Sequence, residues 1–91
     1  METITLDNLP KKTDQSFLID VIDLAEHFGF IIYKVDYNCG MIQFKKANKK
    51  VNFYSTTKVV VHIKNGFSHN LGRLNDLYSI ELVFRNNYIL S

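Results

Sequence analysis

Residues 30–64 read FIIYKVDYNCGMIQFKKANKKVNFYSTTKVVVHIK, and the fold turns on this stretch. Apolar residues recur at every second position, the period of a half-buried strand, and short polar clusters interrupt them. Ile31, Tyr33, Val35 and Tyr37 alternate with Ile32, Lys34 and Asp36 before Asn38-Cys39-Gly40 supplies a turn. Ile42 and Phe44 then alternate with Met41, Gln43 and Lys45, and the basic run Lys46-Ala47-Asn48-Lys49-Lys50 reverses the chain again. Val51 and Phe53 oppose Asn52 and Tyr54. After Ser55-Thr56-Thr57, Val59, Val61 and Ile63 oppose Lys58, Val60, His62 and Lys64. Connections this short predict an antiparallel meander of four strands, because parallel neighbours need a long crossover.

On the N-terminal side, Phe17, Val21, Leu24, Ala25 and Phe28 recur at helical spacing. Asp14 or Thr13 can cap that helix, and Gly29 stands where a left-handed C-terminal stop belongs. Asp20, Asp23 and Glu26 fall on another side of it and form a solvated face. Thr3-Ile4-Thr5-Leu6 alternates polar and apolar, predicting a short strand ended by Asn8-Leu9-Pro10. On the C-terminal side, Asn65-Gly66 ends the meander, and Leu71, Leu74, Leu77 and Tyr78 predict a short second helix that Gly72 weakens. Ile80, Leu82 and Phe84 alternate with Glu81, Val83 and Arg85, so residues 80–91 read as a sixth strand, with a helix as the alternative. The expected class is α+β: one domain over residues 1–91, with an antiparallel four- to six-stranded sheet and two helices packed on one of its faces.

With 91 residues the chain can bury a single core, and with seven Phe and five Tyr it is expected to fold. No apolar run approaches the length of a membrane span, and Met1-Glu2-Thr3 opens with an acid where a signal peptide carries basic residues. A single cysteine, Cys39, fits a reducing compartment, so no membrane partner and a cytoplasmic location are expected. The net charge is only +2, but its distribution is uneven. Residues 1–30 carry six acidic side chains against two lysines, whereas residues 31–75 carry seven lysines and one arginine against Asp36 alone. Such a chain should fold into a body with two faces of opposite potential.

Collected by alternation, the side carrying Ile31, Tyr33, Val35, Ile42, Phe44, Val51, Phe53, Val59, Val61 and Ile63 is the one that two helices would cover. The opposite side holds Lys34, Lys45, Asn52, Tyr54, Lys58, His62 and Lys64, and the turn between the second and third strands adds Lys46, Lys49 and Lys50. Lysines, an amide and an aromatic on one open sheet face are what phosphate contact and base stacking require. A wet antiparallel sheet also uses lysine simply for solvation and edge protection. His27, His62 and His69 have no second ligand at metal-binding spacing, so neither a metal nor a cofactor is expected. His62 beside Tyr54 could act as a general base, but no partner acid, nucleophile elbow or phosphate-binding glycine loop accompanies it. A catalytic role is therefore not expected.

Strand, helix, four-strand meander and helix, in that order over residues 3–79, resemble one half-repeat of the TATA-binding protein fold. That fold has single-copy relatives such as the N-terminal domain of a bacterial ribonuclease H class. The segment from Val51 to Val61 is similar to a hairpin of that fold, and the resemblance places Tyr54 on the aromatic that wedges between bases. Thr57 stands where the turn glycine would be, and no aromatic lies near Cys39 and Gly40 for the partner wedge. The resemblance implies edge-to-edge pairing into a saddle, and hence a homodimer. The expected function is a small basic module binding RNA or DNA, with RNA favoured, through its lysine-lined sheet face. The alternative is a protein-binding inhibitor or adaptor acting on a host protein, such as a phage-encoded antagonist of a host defence nuclease or toxin.

Overall fold

The computed structural model describes residues 4–86. A 3-10 turn at Leu6–Asn8 leads into helix α1 (Gln15–His27), which is followed by strands β1 (Ile31–Asp36), β2 (Met41–Lys46), β3 (Lys49–Tyr54), β4 (Val59–Lys64) and β5 (Phe67–Arg73) and by helix α2 (Leu77–Asn86). The strands pair in sequence order into one antiparallel sheet, so the fold is α+β with a five-strand meander and two helices.

Helix α1 forms where its caps allow. The Asp14 carboxylate accepts from the Phe17 N–H at 3.1 Å. At the other end Gly29, at φ 86°, lets its own N–H reach the Glu26 carbonyl while the Phe30 N–H reaches that of Ala25. This double bond pattern needs a left-handed residue, which glycine adopts without penalty. Leu18, Val21 and Ala25 of α1 and Ile80, Val83 and Phe84 of α2 close over Ile32, Ile42, Phe44, Val51, Phe53 and Val60 of the sheet. Phe84 sits edge-on to Phe30 and Phe44, with ring centroids at 5.1 and 5.4 Å, and Phe17 lies against Phe53 at 6.1 Å.

The expected first strand does not form: Ile4 and Thr5 are irregular and Leu6–Asn8 is a 3-10 turn held by Asn8 N–H to Thr5 and Leu9 N–H to Leu6. Thr3 lies outside the described residues. Asn65-Gly66 does not end the meander but turns it, with φ of 54° and 82°, into β5. An Asn-Gly pair between strands is a strong hairpin signal, here masked by the polarity of Ser68, His69 and Asn70 on an exposed edge. Leu71 is therefore in a strand, and the second helix runs over Leu77–Asn86, so residues 80–86 take the helical alternative and not the sixth strand. Residues 87–91 lie outside the described residues.

The first half of β1 and the whole of β4 also present the opposite face from the expected one, whereas Lys34 and Val35 keep theirs. A bulge between Ile32 and Lys34 resets the alternation of β1, burying Ile32 and exposing Ile31 and Tyr33 by 43% and 48%. In β4, Val60 and His62 are the buried residues, at 1% and 0% exposure, and Val59, Val61 and Ile63 lie half-buried on the other face. Loop length is the reason. Four residues, 55–58, join β3 to β4 so that Tyr54 pairs with Val59, and cross-strand partners share a face.

The loops sort by sheet end. The turns at one end have two residues each, and Asn48 donates to Asn65 across them at 2.9 Å. At the other end, loops 37–40 and 55–58 have four residues each and close the same way, with Gly40 N–H on Asp36 and Lys58 N–H on Tyr54. Both closing residues are left-handed, Gly40 at φ 74° and Lys58 at φ 65°. Only the first is glycine. Ser55 is buried between these loops, its hydroxyl donating to the Gly40 carbonyl at 2.7 Å. Among the described residues no helix is long and apolar enough to cross a membrane.

The face assignment is checked by a pair of neighbours. Val60→Asp should abolish the cooperative melt, because an unpaired buried charge costs about as much as the ~5 kcal/mol that holds a small domain together. Val61→Asp, on the open face, should fold and lose no more than about 1 kcal/mol by chemical denaturation.

Candidate nucleic-acid interface

Because both helices pack on one side, the other side of the sheet is bare among the described residues, and the register arranges it in three rows. The first runs Ile31, Lys45, Lys50, Ile63 and Ser68; the second Lys34, Gln43, Asn52, Val61 and Asn70; the third Asp36, Met41, Tyr54, Val59 and Arg73. Lys45 and Lys50 are direct cross-strand partners, a like-charge pairing that is unfavourable by itself. Tyr33 offsets it. Displaced by the bulge, its ring lies under both ammonium groups, with Lys45 Nζ 4.7 Å and Lys50 Nζ 5.4 Å from its centroid. In the second row the Gln43 amide donates to Asn52 at 2.9 Å, aligning two amides along the sheet. Asp36 is the one acid of these rows, and its carboxylate already accepts from the Asn38 N–H at 3.0 Å.

The residues expected to form the interface divide into four groups. Lys34, Lys45, Lys50, Asn52 and Tyr54 share the open face. Lys46, Lys49 and Lys64 pair in register at the end of the sheet, on the helix-covered side. There Lys46 Nζ donates to the Phe28 carbonyl at 2.8 Å and so satisfies the C-terminal end of α1, where positive charge is favoured. Lys58 reaches the other way, to Asp14 at 3.6 Å and over the Phe17 ring at 4.5 Å. His62 is fully buried on the covered face, which removes it from any surface contact. Its expected place beside Tyr54 followed from the inverted face of β4.

Tyr33 and Arg73 were not expected at the interface. The bulge that exposes Tyr33 depends on pairing with β2 and leaves no mark in a strand alternation. Arg73 needed β5, which the Asn65-Gly66 turn did signal. The opposite side of the molecule is acidic: Asp20, Asp23 and Glu81, with Leu24, Leu77 and the exposed Tyr78, line a groove of about 540 Å³ between α1 and α2. Like charge would turn a polyanion away from it. Among the described residues no group of three or more His, Cys, Asp or Glu is placed to hold a metal ion. No protein-family model, curated protein or solved structure matches this chain.

The division of the lysines is measurable as stability. Lys46→Ala removes a hydrogen bond to a helix-end carbonyl and should cost about 0.5–1.5 kcal/mol. Lys45→Ala relieves a like-charge pair and should leave stability within about 0.5 kcal/mol of the parent, as read by urea denaturation of the two variants side by side.

Proposed function

We propose that this protein is a nucleic-acid-binding module rather than an enzyme, acting in the cytoplasm, and that single-stranded RNA is its preferred ligand over DNA. The observation that carries the reading is the convergence of Lys45 and Lys50 on the half-exposed ring of Tyr33. Two cations held together with an aromatic face supply backbone neutralisation and base stacking at one point. Lys34 and Arg73 extend the charge along the sheet, and the Gln43–Asn52 amides and Tyr54 lie between them.

In this reading the module is a homodimer. Both edge strands are irregular, β1 at Tyr33 and β5 at Leu71, but β5 continues past its irregularity as an exposed edge through Phe67, Ser68, His69 and Asn70. Pairing there would double the basic face. Sedimentation equilibrium should show a dimer, and Ser68→Pro, which removes a backbone donor from β5, should yield a monomer.

A second reading, a protein-binding inhibitor or adaptor acting on a host protein, draws on the apolar part of the same face. Val59, Val61 and Ile63 form a half-buried stripe down β4 that nucleic acid alone does not require. The ultraviolet absorbance ratio of the purified protein separates the readings, since only the first predicts co-purifying nucleic acid.

The decisive measurement is RNA affinity against salt. With four cations on the face, log K against log salt should fall with a slope of about −3 for a single strand. Tyr33→Ala should weaken binding by about 1–3 kcal/mol with the slope nearly unchanged, because stacking and counterion release are separate contributions. Reversal of Lys45 and Lys50 to Glu should abolish binding. Wild-type affinity in that double variant would refute the proposal.

A further inference from the structure

A second polar site lies at the four-residue-loop end of the sheet. It is a cleft of about 300 Å³ between the segment leading into α1, loop 55–58 and the end of β5. Lys12, Lys58 and Arg73 stand around it with Ser55, Thr56 and Thr57, and Asp14 is the one acid. Three cations against one carboxylate leave a charge of +2 in a space large enough for a phosphate group with room beyond it. A phosphate monoester, at about −1.5 to −2 at neutral pH, balances that charge.

The backbone at this cleft is strained at the residue that brings a charge to it. Loops 37–40 and 55–58 close alike, yet the left-handed position held by Gly40 in one is held by Lys58 in the other. Ala47 and Asn65 take the same backbone in the two-residue turns, so the conformation is not peculiar to this loop, but here the residue that adopts it brings a charge to the cleft. Arg73 is likewise held in place, its Nε donating to the Thr57 carbonyl at 2.8 Å, which leaves the terminal nitrogens of the planar guanidinium for the oxygens of an anion. Lys12 is exposed and makes no ion pair among the described residues. The N-terminus of α1 adds nothing here, because Asp14 already caps it. Arg73 also ends the third row of the open face, opposite Val59, so the cleft continues that face around the end of the sheet.

We infer that this cleft binds a phosphate monoester through Lys12, Lys58 and Arg73, with Asp14 as a built-in competitor for Lys58. The group is supplied either by the terminal phosphate of a strand lying on the open face or by a free phosphate or nucleotide. Only the first source rests on the nucleic-acid reading.

The test titrates the protein with inorganic phosphate by NMR and, in parallel, with one RNA oligonucleotide carrying a 5′-phosphate or a 5′-hydroxyl. Phosphate should shift the amides of Thr56, Thr57, Lys58 and Arg73 saturably. Lys12→Ala, an exposed change that cannot unfold the domain, and Arg73→Gln should each weaken it about tenfold, the worth of one charged hydrogen bond. Lys58→Gly, which the backbone of the sister loop shows to be permitted, should do the same. Asp14→Asn, an equally good helix cap, should tighten binding several-fold by freeing Lys58. Preference for the phosphorylated oligonucleotide of about tenfold identifies a strand end as the source. Equal binding of the two oligonucleotides, with phosphate still saturating the cleft, identifies a free phosphate. If neither oligonucleotide binds while phosphate does, the open-face reading fails and the cleft stands. Absence of a saturable shift, with no response to Asp14→Asn, overturns the cleft whatever the RNA does.

Discussion

Phe84 holds the molecule together from one side. Its ring meets the edges of Phe30 and Phe44, so α2 is latched onto both the start of the meander and its second strand while α1 fills the remaining half of the same face. A buried phenylalanine contributes several kcal/mol, and a domain this small has few such contacts to spare. With both helices committed to that face, nothing in residues 4–86 is left to cover the other. The face that the described residues leave bare thus follows from where the aromatic residues stand.

Charge follows the same division. The acids of α1 point away from the sheet, and Lys34, Lys45, Lys50 and Arg73 line its bare side. Lysine nevertheless has several roles in this protein. Lys46 satisfies the end of a helix, Lys58 ties a strained loop to the start of the same helix, and Lys45 and Lys50 are held on a tyrosine ring. What separates these roles is the direction each side chain leaves the sheet, which alternates with every residue. Lys45 and Lys46 are neighbours in the chain and face opposite sides of the molecule.

The two ends of the sheet differ in a related way. Two-residue turns leave little room between strands and carry small or amide side chains, joined across by Asn48 and Asn65. Four-residue loops at the other end stand clear of the sheet and enclose Ser55, which bonds the Gly40 carbonyl and lies 3.2 Å from the Thr13 hydroxyl. That polar knot joins both loops to the segment entering α1. It shapes the cleft in which Lys12, Lys58 and Arg73 meet from three separate parts of the chain.

Much of this was legible in the chain itself. Helical spacing from Phe17 to Phe28 with Asp14 and Gly29 at its ends, and the four strands read between Phe30 and Lys64, are local signals that the structure keeps, although the period of two is broken at Tyr33. The inward faces of β2 and β3 followed from alternation alone, and so did the placing of Lys45, Asn52 and Tyr54 on the open face. The reversal of β4 was also within reach, because a four-residue loop that pairs Tyr54 with Val59 must put them on one side. The C-terminal segment was ambiguous by nature: Ile80, Val83 and Phe84 serve a helix as well as Ile80, Leu82 and Phe84 serve a strand, and packing against Phe30 and Phe44 chose between them. The bulge at Tyr33 lies beyond any pattern in the residues. A bulge exists only between two paired strands, and so the exposure of that ring, together with the meeting of Lys45 and Lys50 upon it, belongs to the tertiary structure alone.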